Sequence, residues 1–160
     1  MSRRGERKAA AFLLYQRDLM DEPFEALYES YQRDTGEPVS EFTRTRAEGV
    51  WASRERLDHA IDEAAQGWTS ERMAVLERNI LRLAVWEMSE GDVPAAVAID
   101  EAVTLAKRYA SPEAATLVNG ILGRIARTEG WEPERRRACR VGDPDRAAAR
   151  AAGRRAAGPC

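Results

Sequence analysis

The most apolar segment of the chain runs from Leu76 to Met88 and reads LERNILRLAVWEM. Its apolar side chains recur at the spacing of one helix face, and the face is broad. It consists of Leu76, Ile80, Leu81, Leu83, Ala84, Val85 and Met88. A face of this breadth is typical of a central helix that is buried on more than one side, so the segment predicts the middle of an all-α core.

Two side chains in this segment break the apolar pattern. Glu87 lies on the same face as Leu76, and a buried carboxylate needs hydrogen-bond partners. We expect Glu87 to have a structural role, accepting from the terminal amides of neighbouring helices. Trp86 falls on the polar side of the helix, where it is either covered by the rest of the chain or anchors another protein.

Proline, glycine and helix-capping residues divide the rest of the chain into further helices. The breaks lie at Asp21–Pro23, Gly36–Pro38, Gly67, Gly91–Pro94 and Ser111–Pro112. Ser40 is a predicted N-cap of one long helix that ends near Gln66, and Ser111 is a predicted N-cap of the last helix. No alternating β-branched run indicates a strand. The sequence therefore predicts an all-α bundle of about seven helices.

The last of these helices contains two glycines in its interior, Gly120 and Gly123. Glycine inside a helix costs about 1 kcal/mol against alanine, which suggests that another backbone approaches closely there. Leu117 lies outside the apolar stripe of this helix and is a candidate exposed contact.

Charge divides the 160 residues into two parts. The net charge is −2, but residues 131–160 contain eight arginines against four acidic residues, so residues 1–130 carry a net charge of −6. Residues 131–160 offer almost no large apolar side chains for burial. We predict one helical domain over 1–130 and a disordered Arg/Ala-rich tail over 131–160, which serves solubility or adds RNA contacts.

The residue inventory argues against catalysis, metal binding and membrane insertion. His59 is the only histidine, the two cysteines are Cys139 and Cys160, and no phosphate-binding glycine loop is present. We expect no catalytic residues, no metal and no cofactor. The early apolar run is too short for a signal peptide, and no window is long enough for a membrane span. The expected location is the cytoplasm.

A basic arm begins the chain, with Arg3, Arg4, Arg7 and Lys8. Arg4, Lys8 and Tyr15 share one face of a helix. Cationic side chains and an aromatic ring on one face of a helix suit single-stranded nucleic acid, because the cations bind phosphates and the ring stacks on a base. The alternative is a frayed, solvated terminus whose Tyr15 packs in the core.

Four segments, taken in order, resemble the bacterial transcription antitermination factor family NusB over roughly residues 3–128. They are the basic arm with Leu14-Tyr15, the segment Leu76–Glu87 with Val93-Pro94, the segment Ala98–Lys107, and Val118–Leu122. The resemblance implies an all-α protein of two helical sub-bundles. It also implies binding to the boxA element of ribosomal RNA transcripts together with the ribosomal protein NusE, followed by joining the elongating RNA polymerase.

The resemblance also implies which residues make these contacts. The RNA-facing residues would be Arg3, Arg4, Arg7, Lys8, Tyr15, Lys107, Glu113 and Leu117, and the NusE-facing residues would be Glu71, Arg72 and Glu77. Leu117 stands where the family commonly has an aromatic residue. Some members form homodimers that cover the RNA site, and the sequence leaves a homodimer open.

Two other interpretations stay open. One is a helical protein-interaction module that has lost RNA binding, which the acidic body favours. The other is a stand-alone relative of the NusB-like domain of ribosomal RNA cytosine methyltransferases, although the chain offers no glycine-rich cofactor site.

Overall fold

The computed structural model describes residues 1–90 and 92–131. Within these ranges the chain forms seven α-helices, one short 3-10 turn and no strand. The helices are α1 (Arg3–Leu19), α2 (Phe24–Thr35), α3 (Glu41–Ala52), α4 (Arg54–Ala64), α5 (Val75–Glu90), α6 (Ala95–Tyr109) and α7 (Pro112–Thr128), and the 3-10 turn is Ser70–Arg72. The predicted all-α bundle of about seven helices is confirmed.

Serine caps begin three of the helices. Ser40 accepts a hydrogen bond from the amide of Thr43 at 3.2 Å, and Ser111 accepts one from Ala114 at 3.0 Å. Ser2 caps α1 in the same way through the amide of Gly5. Each cap satisfies an amide that has no partner within its helix. Because α1 begins at Arg3, the basic arm is helical, and the alternative of a frayed terminus is wrong.

The long helix predicted from Ser40 to about Gln66 is wrong, because the chain turns at Ser53 and forms α3 and α4 instead. The side chain of Arg54 donates to the carbonyl of Trp51 at 2.8 Å, which satisfies a carbonyl at the end of α3. Leu57 and Ile61 of α4 are fully buried. The turn therefore lets α4 bury its own apolar face against α5 and α7.

Helix α5 is the centre of the fold. It packs against α1 and α3 on one side and against α4, α6 and α7 on the other. Helices α1, α2 and α3 form one sub-bundle, while α4, α6 and α7 form the other. Leu81 and Met88 of α5 are fully buried, as the breadth of its apolar face predicted.

Trp86 is covered by the chain. Its ring lies against Gly49 of α3, where an added Cβ would stand 2.6 Å from the Trp86 ring.

The close approach predicted at Gly120 and Gly123 is wrong. A Cβ at Gly120 would meet nothing within 4 Å, and a Cβ at Gly123 would meet only the guanidinium of Arg127. The helix contact that needs a glycine is thus between α3 and α5.

Most of the predicted tail, including both cysteines, lies outside the described residues. Its first residue, Trp131, does not follow the prediction, because its amide donates to the carbonyl of Ala126 at 2.6 Å and its ring packs against the core. In the described ranges, no helix combines the length and the apolar character needed to cross a membrane.

Candidate nucleic-acid interface

A buried ion pair fixes the basic arm to the central helix. Arg7 donates from Nε to both carboxylate oxygens of Glu87 at 3.0 Å, and Arg46 lies 3.6 Å from the same carboxylate. Burial raises the pKa of Glu87, and the positive charges of Arg7 and Arg46 offset part of that effect. Glu87 has the structural role that the sequence predicted, but its partners are arginines and not helix-terminal amides.

Arg7 was predicted to face RNA, and the structure pairs its side chain with Glu87 of α5. Its side chain is 11% exposed and forms an ion pair with Glu87. A phosphate that took the place of Glu87 on the Nε of this guanidinium would have to break a buried pair, which is costly. Arg7 therefore positions the arm on α5. A hydrogen bond from the hydroxyl of Thr43 to the backbone carbonyl of Glu6, at 3.1 Å, fixes the same turn of α1 to α3.

The other cations of the arm are accessible to solvent. Arg3 reaches Glu6 at 2.9 Å and lies over the ring of Phe42. Arg4 is 56% exposed and makes two hydrogen bonds to Glu101 of α6, at 3.1 and 3.2 Å. Pairs this exposed contribute little to stability, so these guanidinium groups can exchange a carboxylate for a phosphate.

A groove of about 240 Å³ separates α1 from α6. Arg4 and Lys8 line it from α1, and Arg108 and Tyr109 line it from α6. The ammonium of Lys8 lies 5.2 Å from the centre of the Tyr109 ring, which also meets Phe12 edge-to-face at 5.3 Å. Three cations around one fixed ring form an arrangement that can hold a phosphate and stack on a base.

The remaining predicted RNA-facing residues lie on three different helices. Tyr15 is half-buried on α1, and Lys107 is exposed in the last turn of α6. Glu113 is exposed in the first turn of α7, and Leu117 is half-buried and packs on the core. Lys107 and Glu113 lie on either side of the turn that joins α6 to α7, so they are close in the chain to Arg108 and Tyr109 of the groove.

Two residues of the groove were absent from the sequence prediction. Arg108 and Tyr109 directly follow Lys107 at the end of α6. Two cations beside a ring at a helix end, followed by Ser111-Pro112, form a local signal that could have identified them. This local signal points to a binding site only when α6 is known to lie beside the basic arm.

A second polar cluster ties the other end of α1 to α5. The carboxylate of Asp18 accepts from Arg78 at 2.7 Å, Arg82 at 2.9 Å and Asn79 at 3.0 Å. Arg82 also forms two hydrogen bonds with Asp58 of α4. Burial alone would raise the pKa of Asp18, but these hydrogen bonds and positive charges hold that pKa below its usual range.

The predicted partner-facing residues lie near this second cluster. Glu71 and Arg72 are exposed in the 3-10 turn, and Glu77 is half-buried in the first turn of α5. Arg78 donates to the carbonyl of Ser70 at 3.2 Å, so the turn is linked to Asp18. Arg4 and Asp18 are 14 residues apart on α1, which is about 21 Å along the helix. The groove and the candidate protein-binding surface thus lie near opposite ends of α1, whereas Tyr15, which was also predicted to face RNA, is only three residues from Asp18.

No cluster of three or more potential metal ligands occurs among residues 1–90 and 92–131. His59 is exposed on α4 and pairs with Glu63 at 3.2 Å, one helical turn away. This arrangement is that of a surface pair, as the sequence indicated.

Comparisons with known proteins agree with this architecture. The model of the NusB family matches residues 4–127. A transcription antitermination protein NusB from Saccharopolyspora erythraea is 43% identical over 128 residues, which cover 78% of this chain and 86% of that protein. The solved structure of T. maritima NusB is 34% identical with a TM-score of 0.69, and the match covers 79% of this chain and 92% of that one.

A further solved structure contains antitermination factors NusB and NusE in complex with dsRNA. Its matching chain is 27% identical to this one with a TM-score of 0.70, and the match covers 79% of this chain and 96% of that one. The family match spans more than half of the chain and includes the basic arm, the central helix and the last helix. The chain belongs to the NusB family.

Proposed function

We propose that the chain is a non-catalytic, RNA-binding adaptor for transcription antitermination. It binds boxA-type single-stranded RNA of ribosomal RNA transcripts together with the ribosomal protein NusE, and the pair joins the elongating RNA polymerase in the cytoplasm. The observation that carries this proposal is the groove between α1 and α6, which Arg4, Lys8 and Arg108 line together with Tyr109, whose ring lies beside the ammonium of Lys8.

The RNA-binding surface follows from the exposure of its residues. Arg3, Arg4, Lys8 and Lys107 supply cations for phosphates, and Tyr15 supplies a ring. Leu117 offers an apolar contact and no π-face, and Glu113 can accept from the amino groups of a base. Arg7 acts indirectly, because its pair with Glu87 fixes the helix that carries Arg4 and Lys8.

The protein-binding surface consists of Glu71, Arg72 and Glu77. It carries more negative than positive charge, which suits a basic ribosomal protein. Support for NusE as this partner comes from the similarity of the chain to the NusB chain of a NusB–NusE–RNA complex. Because this surface and the groove are near opposite ends of α1, RNA and NusE can bind at the same time.

Titration of labelled boxA-type RNA tests the proposal directly. The full chain is added with and without NusE, and a scrambled RNA of the same length and composition is the control. We expect salt-sensitive binding to boxA RNA, tighter binding when NusE is present, and weaker binding to the scrambled RNA. Equal binding to the two RNAs, or no effect of NusE, would contradict the proposal. Sedimentation of the same samples separates monomers from homodimers.

Glu77→Arg separates the two surfaces. It places a positive charge against a basic partner, so we expect it to remove the gain in RNA affinity that NusE supplies. RNA binding by the chain alone should stay nearly unchanged. If the full NusE-dependent gain persists in this variant, the protein-binding surface lies elsewhere on the molecule.

We also propose that residues 1–130, with Trp131, form the complete folded and RNA-binding unit. Removing the residues after Trp131 should change the free energy of unfolding by less than about 0.5 kcal/mol, because that composition offers little to bury. The measurement is urea unfolding of the full and shortened chains, followed by RNA titration of both. A large loss of stability or affinity would show that the removed segment takes part.

A further inference from the structure

Trp68 is the most exposed Phe, Tyr or Trp side chain in the part of the chain that the structure describes. It is 57% exposed, whereas Trp86 is buried and Trp51 packs partly against the core. It lies between α4 and the 3-10 turn, and the two residues before it have positive φ angles, 47° at Gln66 and 98° at Gly67. This left-handed pair turns the chain sharply outward just before the tryptophan.

The residues on both sides of Trp68 are held in place. The amide of Trp68 donates to the carbonyl of Ala65 at 3.4 Å, and Asp62 accepts from the amide of Ser70 at 2.5 Å. Ser70 and Met73 are buried, and Arg78 binds the carbonyl of Ser70. The exposed ring is therefore presented by a fixed segment, so little conformational freedom of the backbone is lost when a partner binds it.

The surroundings of Trp68 carry negative charge. Between residues 58 and 77 the chain has five acidic side chains and one arginine, Arg72. Arg78 and Arg124 also reach this segment, through the carbonyls of Ser70 and Ala64, but Arg78 is paired with Asp18. At the neighbouring end of α1, Leu19 and Met20 are also exposed apolar side chains, and Asp18 before them is bonded to Arg78. An exposed ring within an acidic surface fits a protein with an apolar recess and a basic rim.

We propose that Trp68 is the apolar anchor of the protein-binding surface, inserting into a recess on a basic partner protein while Glu71 and Glu77 meet the rim of that recess. This inference rests on the proposed pairing with NusE. Single-stranded RNA is the less suitable occupant, because the surrounding carboxylates repel phosphates and the RNA groove lies at the other end of α1.

The first test measures the affinity of NusE for four forms of the full chain. These are the unchanged protein, Trp68→Ala, Trp68→Phe and the control Val97→Ala, which shortens an exposed apolar side chain on α6. We expect Trp68→Ala to weaken binding roughly 30-fold, Trp68→Phe to weaken it less, and Val97→Ala to leave it unchanged. Melting curves for all four forms should nearly coincide, because both side chains point into solvent.

The second test follows the ring itself. In protein labelled with 5-fluorotryptophan, the ¹⁹F signal that disappears in Trp68→Phe is assigned to Trp68. This signal should shift and lose its sensitivity to solvent when NusE is added, and it should stay in place when boxA RNA is added alone. A shift with RNA alone would make Trp68 an RNA-stacking residue and would overturn the proposal.

The outcomes separate this inference from the proposed function. If the unchanged protein fails to bind NusE, the pairing itself is wrong. If NusE binds and Glu77→Arg disrupts it, but Trp68→Ala binds as tightly as the unchanged protein, then the pairing holds and the anchor is wrong. A loss of NusE affinity that is large in Trp68→Ala, smaller in Trp68→Phe and absent in Val97→Ala supports Trp68 as the anchor.

Discussion

Arg4 and Arg7 lie three positions apart on α1, and each pairs with one glutamate. Arg4 meets Glu101 of α6 with 56% of its side chain exposed, whereas Arg7 meets Glu87 of α5 with 11% exposed. The first pair borders the groove between α1 and α6. The second lies beneath α1, next to Arg46 and the ring of Phe42.

In the proposed function, burial and not charge separates an RNA contact from a structural residue. In water, the pair of Arg4 is screened and weak, so a phosphate can replace its carboxylate. The pair of Arg7 is surrounded by protein, and removing one member leaves a charge without a partner. Two arginines within one turn of one helix thus have different surroundings, and the proposed function assigns RNA binding only to the exposed one.

Arg7→Met should have the largest effect on stability. It leaves the Glu87 carboxylate buried without its closest donor, and we expect a loss of about 3 kcal/mol in the free energy of unfolding. Urea unfolding followed by circular dichroism measures this loss. Arg4→Met is the matched control, and its unfolding midpoint should stay close to that of the unchanged protein. If the two substitutions lowered the free energy of unfolding equally, the two ion pairs would not differ in their contribution to stability, which would contradict this account.

Asp18→Asn should have a smaller effect that depends on pH. The carboxylate keeps some contact with solvent, so we expect a loss of about 1.5 kcal/mol at neutral pH, the lower end for hydrogen bonds to a charged group. The pKa of Asp18 is lowered in the folded state. Its contribution is therefore present above the unfolded pKa of about 3.9 and is lost as the pH falls through the folded pKa.

Unfolding midpoints measured from pH 3 to pH 7 test this dependence. The unchanged protein should lose more stability than Asp18→Asn at the acidic end, so the two curves should converge there. Parallel curves over the whole range would show that Asp18 does not carry the predicted share of the acid sensitivity.

Glu101→Gln should change RNA binding and barely change stability. Removing this carboxylate takes a competing negative charge from Arg4 and from the edge of the groove. We expect the affinity for boxA RNA to rise roughly two- to fivefold, because an exposed pair is weak. Asp100→Asn changes the neighbouring carboxylate and is the control in the same RNA titration. A loss of affinity in Glu101→Gln would mean that the pair orders Arg4 for binding.

Much of the fold could be predicted from local patterns. The breadth of the apolar face of α5 indicated a central helix, and Ser40 and Ser111 are the caps that the sequence predicted. Such signals depend on residues within one or two turns, so they can be read along the chain. The break at Ser53 could not be predicted in this way, because it has neither proline nor glycine and follows from the packing of α4.

The candidate site was harder to predict, because it depends on which helices meet. The spacing placed Arg4 and Lys8 on one helix face without Arg7, but it could not indicate that Arg7 would pair with Glu87, 80 residues later. Arg108 and Tyr109 joined the groove only when α6 was placed beside α1. The roles in RNA binding of all the predicted residues, namely Arg3, Arg4, Arg7, Lys8, Tyr15, Lys107, Glu113 and Leu117, remain predictions.

The salt dependence of RNA binding tests the central claim, that the edge formed by α1 and α6 holds RNA phosphates. The measurement compares the unchanged protein with the double substitution Arg4→Met and Lys8→Met, using boxA RNA at several salt concentrations. Each lost phosphate contact should reduce the slope of log affinity against log salt by about 0.7, so we predict a reduction of roughly 1.4 with unchanged helicity. A slope equal to that of the unchanged protein would contradict the account.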